Sequence, residues 1–356
     1  MTAPDLTIEH AGLPSARQIA QKLGLIAVFV AVGAVLATQL PGLQEIGHQL
    51  AGADGGWIAA ALALEIASTA CFAFAFHGVY DRRTSPRAST SMSLAMQGLN
   101  IVLPSGGAGG LAVGAVLLDR AGVPRSFAAS RTIALFLVTS LVSFVAVVIA
   151  GFGVAAGALS GEASLALTLL PATIALALLA AVFALARMKA PAEGEPTGRF
   201  RTALTSTRKY LREGVGASAE LLRSGDRLVI AGAIGYFAFD VAAMAAAFHA
   251  VGSAGLPIGL LVLAYTLGHG GAIVPMPGSA EGGLIGMFVL FGMSVPTATA
   301  AVLAYRAVHA GVPLVLGVIG LADVRRLLRN PARALAARPR VTLRREPAHL
   351  GAPLAA

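Results

Sequence analysis

Six uninterrupted apolar blocks, at residues 24 to 40, 56 to 79, 132 to 157, 164 to 186, 228 to 252 and 297 to 321, constrain this chain more than any other feature. Each is close to the roughly 20 helical residues needed to cross a hydrocarbon core. Segments apolar on all sides have no solvated face, so an all-α polytopic membrane protein with six spanning helices is expected. Composition agrees, with 56% hydrophobic and only 12% charged residues. Val35-Leu36-Ala37 has the look of a signal-peptide cleavage site. The leader before that first block is long for a signal peptide, however, and the block is read as a retained helix. Cys71 is the single cysteine, so no intrachain disulfide can form.

Two further apolar blocks are interrupted. Block 92 to 119 is broken by Pro104-Ser-Gly-Gly-Ala-Gly-Gly110, and block 257 to 293 by a run from Pro275 to Gly283. Their half-helices are too short to cross alone. The basic residues decide between a discontinuous span and a hairpin that returns to its own face. With two re-entrant hairpins and a cytoplasmic N-terminus, the segments 1 to 23, 80 to 91, 120 to 131, 187 to 227 and 322 to 356 lie inside. They hold every Lys and Arg except Arg306, as the positive-inside bias requires. A spanning block 92 to 119 would instead put Arg120, Arg125 and Arg131 outside. The net charge of +9 is thus a topology signal, and no nucleic acid partner is expected. The plasma (inner) membrane with both termini cytoplasmic is the expected location.

This topology exposes an internal repeat. Pro104-Ser-Gly-Gly-Ala-Gly-Gly-Leu111 aligns with Pro277-Gly-Ser-Ala-Glu-Gly-Gly-Leu284, and each lies between two spanning helices. Repeat one covers 56 to 157 and repeat two 228 to 321. They enter from opposite faces, the inverted-topology arrangement of many secondary transporters. One transmembrane domain, 24 to 321, is therefore expected, with a basic cytoplasmic loop at 187 to 227, an N-terminal tail at 1 to 23 and a basic tail at 322 to 356.

Charges inside the apolar blocks follow the same repeat. Glu65 and Asp240 each lie mid-helix ahead of a break, and Arg131 and Arg306 each follow one. Intramembrane ionisable residues are costly and by default mark a site or pathway. Glu65, Asp240 and Arg131 are candidates for coupling or charge balance, against the alternative that the acids only hold helices together and that Arg131 snorkels to the interface. Backbone that leaves helical form inside a bilayer must line protein or a water-filled cavity. The half-helix starting near Gly282 and Gly283, with its counterpart at Gly110, would aim free N–H groups and a positive dipole into that cavity, which favours an anion. Arg306 adds a guanidinium with bidentate phosphate geometry. Glu281 can pair with Arg306, take a coupling proton or cap its half-helix.

Asn100-Ile-Val-Leu-Pro-Ser-Gly-Gly-Ala-Gly-Gly-Leu, the later Ala-Gly-Val-Pro, Pro275-Met-Pro-Gly-Ser-Ala-Glu-Gly-Gly-Leu-Ile-Gly and Leu303-Ala-Tyr-Arg306 together resemble the lysylphosphatidylglycerol synthase transmembrane region family over about residues 20 to 325. The resemblance implies a flippase-like domain that moves or handles lipids, including aminoacylated anionic phospholipids. It adds Asn100 and Gly109 to the candidate substrate-binding residues Gly110, Gly278, Glu281, Gly282, Gly283 and Arg306. No aminoacyltransferase domain follows residue 325, so synthase activity is not expected.

Two other classes compete with a lipid transporter. One is a non-transporting accessory subunit of a lipid or envelope biosynthesis pathway. The other is an intramembrane hydrolase using Ser279, although serine in a Gly/Pro loop is ordinary turn chemistry. Residues 199 to 224 carry Phe200, Leu204, Leu211, Val215 and Leu222 at helical spacing beside basic residues, the pattern of an interfacial helix on anionic lipid. A soluble linker is the alternative there. His77, His249, His269 and His309 lack metal-type spacing, so no metal or other cofactor is expected. His269 and His309 stand where they could line the cavity, packing being the commoner role.

Overall fold

The computed structural model describes residues 41–102, 118–119, 122–187, 199–273, 278–327 and 329. The first apolar block, the first glycine break with Gly109 and Gly110, and the tail beyond 329 lie outside the described residues. Described regular structure is entirely helical: α1 Pro41–Ala51, α2 Gly55–Val79, α3 Pro86–Val102, α4 Arg125–Ala155, α5 Leu165–Arg187, α6 Arg199–Ser224, α7 Arg227–Ala250, α8 Ile258–His269, α9 Ser279–Leu290 and α10 Val295–Leu327. Five of these, α2, α4, α5, α7 and α10, contain segments long and apolar enough to cross a membrane. The chain is a multi-pass membrane protein. Large apolar side chains such as Phe136, Ile149, Leu170, Ile174, Val315 and Ile319 point outward, as a lipid-facing surface demands.

Five of the six expected spans are found with shifted ends, the block at 24 to 40 lying outside the described residues. α10 runs six residues past the apolar block because Asp323 has partners. It accepts from Ser91 Oγ at 2.7 Å and from Arg87 Nε at 3.1 Å, fixing the end of α10 against the start of α3. α3 is longer than a ten-residue half-helix. Pro86 opens its first turn, where a missing N–H costs nothing, and Ser85 Oγ accepts from Ala88 N. Its buried Ser89, Ser91 and Ser93 are invisible to a search for apolar runs.

Close packing rests on small residues that let backbones approach. A Cβ on Gly232 of α7 would lie 2.6 Å from Ala75 N of α2, and one on Gly98 of α3 would lie 2.7 Å from Gly317 Cα of α10. One on Gly259 of α8 would meet Val154 of α4 at 2.6 Å. α2 and α7 pack on each other, α3 packs on α10, and α8 packs on α4.

α2 and α7 are antiparallel. Asp54, which caps α2 by accepting from Gly56 N and Trp57 N, donates its own N–H to Ala250 O at the end of α7. At the other end Arg82, just past α2, pairs at 2.9 Å with Asp226, the N-cap of α7.

The second broken block is a hairpin. α8 and α9 have 12 residues each, about 18 Å at 1.5 Å per residue, and a 3-10 turn at Gly270–Ile273 follows α8. Gly268 lies against Leu284 and Gly271 against Ser279, so the two half-helices run back along each other.

Candidate functional site

Three helices bring the intramembrane acids together. Glu65 from the middle of α2 and Asp240 from the middle of α7 are 2% and 6% exposed, and both face His309 of α10. His309 Nδ1 lies 3.1 Å from Asp240 Oδ1 and 3.3 Å from Glu65 Oε1. The antiparallel crossing of α2 and α7 is the reason: Glu65 lies ten residues from the start of α2 and Asp240 ten residues from the end of α7, so the two meet where the helices cross.

Donors are distributed unequally between the acids. Tyr305 OH donates to Asp240 Oδ1 at 2.8 Å, and Tyr265 OH, from the hairpin helix α8, donates to Oδ2. Glu65 has no hydroxyl partner among the described residues, and its Oε2 is buried without a hydrogen bond. Around them, Tyr305 stacks on His309 with ring centroids 5.0 Å apart, and His269 lies 6.3 Å from His309. His269 Nδ1 bonds to Tyr265 O at 2.9 Å.

Arg306 lies on α10 one turn before His309. Its Nε donates to Glu281 Oε1 at 2.7 Å, and both side chains remain partly exposed, at 24% and 30%. Glu281 is in the first turn of α9, so the hairpin break and the guanidinium form one unit. No described residue hydrogen-bonds the Nη groups of Arg306.

The glycines divide. Gly278 caps α9 with φ +82, a left-handed conformation that excludes most side chains. α9 starts at Ser279, earlier than Gly282, and Gly282 N already bonds Gly278 O at 2.8 Å. The N–H groups of Gly282 and Gly283 therefore belong to the helix ladder and not to its open end. A Cβ on Gly283 would lie 2.3 Å from Gly268 O, whereas one on Gly282 would meet nothing within 4 Å. Gly283 serves hairpin closure; Gly282 faces open space.

Arg131 is placed apart from the acid pair. Its Nη2 pairs with Asp81 at 2.9 Å and lies 3.7 Å from Glu220, tying α4 to the turn after α2 and to α6. Burial pushes the Asp81 carboxyl up from its usual value, against the pull of the Arg131 and Arg83 guanidiniums. Asn100 lines a different cleft of about 270 Å³ with Gln97, Thr139, Ser140, Ser143 and Tyr236. Tyr236 is one helical turn from Asp240 on α7, so cleft and acid pair share a wall.

The profile of the lysylphosphatidylglycerol synthase TM region matches residues 23–317. The chain belongs to this family. No curated protein matches it. The second break and the Tyr305-Arg306 sequence lie on helices in contact, α8, α9 and α10. Sequence reasoning singled out Glu65, Asp240, Arg306 and Glu281 and missed the tyrosine donors to Asp240. It placed His269 and His309 where they could line the cavity, with packing as the commoner role, and did not join His309 to the acids. A signal was present, since His309 follows Arg306 by three residues and shares its helix face.

Proposed function

We propose that this membrane protein is a flippase-like lipid transporter that takes a lipid with an anionic headgroup across the plasma (inner) membrane, with both termini cytoplasmic. The observation that carries this reading is the Arg306–Glu281 pair at the mouth of the α8–α9 hairpin. A guanidinium held along its Nε edge keeps its Nη edge for a phosphate, and planar two-point recognition of phosphate is what arginine offers over lysine. The open space at Gly282 lies one residue from Glu281. The antiparallel α2 and α7, and the reciprocal packing of hairpin on end helix, support two repeats of opposite direction, the architecture in which a central site faces each side in turn. Re-entrance of the second break fits the hairpin geometry of α8 and α9, and re-entrance of both fits the placement of the basic residues in the sequence. The buried acids beside Arg306 supply a group whose charge can change during the cycle.

The test is reconstitution of the full chain into liposomes with headgroup-labelled lipids, scoring leaflet exchange lipid by lipid. Exchange of anionic lipids well above that of zwitterionic ones is expected. Equal exchange of both classes, or none above empty liposomes, would remove the proposal.

A further inference from the structure

The acid pocket contains more acceptors than protons. His309 Nδ1, Asp240 Oδ1 and one Glu65 oxygen lie within 4.8 Å of one another. Nδ1 has at most one hydrogen to share between two carboxylates. Asp240 is satisfied by two tyrosine hydroxyls. Glu65 is not, because Oε2 is buried and unpartnered, a position that costs a charged group dearly. One turn along the same face of α2, Thr69 Oγ1 is also buried without a partner. Elsewhere Thr132, Thr139, Thr173 and Thr299 return their hydroxyls to the carbonyl four residues back; Thr69 makes no such bond.

The spacing suits a bound cation: ligands at about 2.1 Å from an ion stand about 3.4 Å apart in a tetrahedron and about 3.0 Å in an octahedron. The observed edges from Nδ1 are 3.1 and 3.3 Å. One imidazole with two carboxylates is a donor set for transition-series ions more than for Mg2+ or an alkali ion.

We propose that Glu65, Asp240 and His309 form a binding site for a divalent transition-metal cation, Zn2+ or Mn2+, with Thr69 beside it. The sequence could not show this site, because its ligands come from three helices and share no local spacing.

The full chain, purified in detergent and stripped with a chelator, is titrated with Zn2+ or Mn2+ at fixed pH. One equivalent should be retained, and Glu65→Gln and His309→Gln should each weaken retention at least tenfold. X-ray absorption of the zinc-loaded wild type should show one imidazole nitrogen and otherwise oxygen, at about 2.0–2.2 Å. No retained metal, retention unaffected by both substitutions, or a shell with several imidazoles overturns the site. Stabilisation by Na+ but by neither transition ion overturns it too. If both variants aggregate, the wild-type absorption shell decides alone. No lipid enters the assay, so its failure leaves lipid transport standing, and a failure of leaflet exchange leaves the metal site standing.

Discussion

Arg306 and Asp240 are held in different ways. The Nε edge of Arg306 is fixed by Glu281, and its Nη groups are the part offered to a phosphate. Arg306→Lys keeps the charge and loses the planar fork. A charged hydrogen bond contributes about 1.5–3 kcal/mol, so leaflet exchange of an anionic lipid should fall roughly ten- to hundredfold while the protein still folds. An undiminished rate would mean that only the charge counts. For the acids the prediction is asymmetric. Asp240→Asn sets an amide N–H against the tyrosine donors and should lower stability by about 1–3 kcal/mol, read as a drop in the unfolding midpoint. Glu65→Gln places its amide where the carboxylate already lacks a partner and should cost less. Equal losses would contradict the donor assignment. Charged residues were legible in the sequence because they are rare inside apolar blocks. Tyr265 and Tyr305 were not, since a tyrosine in an apolar helix is unremarkable until its hydroxyl is seen to meet Asp240.

The α8–α9 hairpin separates two roles for glycine that look alike in sequence. Gly283→Ala should destabilise the hairpin, because the added methyl would lie 2.3 Å from Gly268 O, and the expected loss is about 1–3 kcal/mol. Gly282→Ala meets nothing and should leave the unfolding midpoint unchanged or slightly higher. If a headgroup uses that space, Gly282→Ala will nonetheless slow leaflet exchange. Unfolding curves for the two variants test the assignment, and matching midpoints would contradict it. The existence of this hairpin was legible from half-helix length and from the Pro/Gly run. The start of α9 was not, because the left-handed Gly278 sets it and any of several glycines could have done so. α3 was underestimated for a related reason: its serines bond across helices to Asp323 and His77, and hydropathy counts them only as polar.

Across the whole molecule, α2 and α7 run in opposite directions, and this crossing assembles the acid pair. The number and placement of apolar blocks were enough to anticipate the all-helical membrane class. Which helices touch depends on where glycines permit close approach, as at Gly98–Gly317 and Gly232–Ala75, and that is a tertiary property. Single cysteines placed in a Cys71→Ser background and labelled from each side test the orientation: positions 121 to 126 should label only from the cytoplasmic side. Labelling from outside would break the inverted arrangement. The most direct measurement compares wild type and Arg306→Met in liposomes carrying labelled phosphatidylglycerol or phosphatidylcholine. Rapid phosphatidylglycerol exchange in the wild type, slow phosphatidylcholine exchange, and loss of the phosphatidylglycerol signal in a correctly folded Arg306→Met protein are expected; a fully active Arg306→Met protein would contradict an anion site at Arg306.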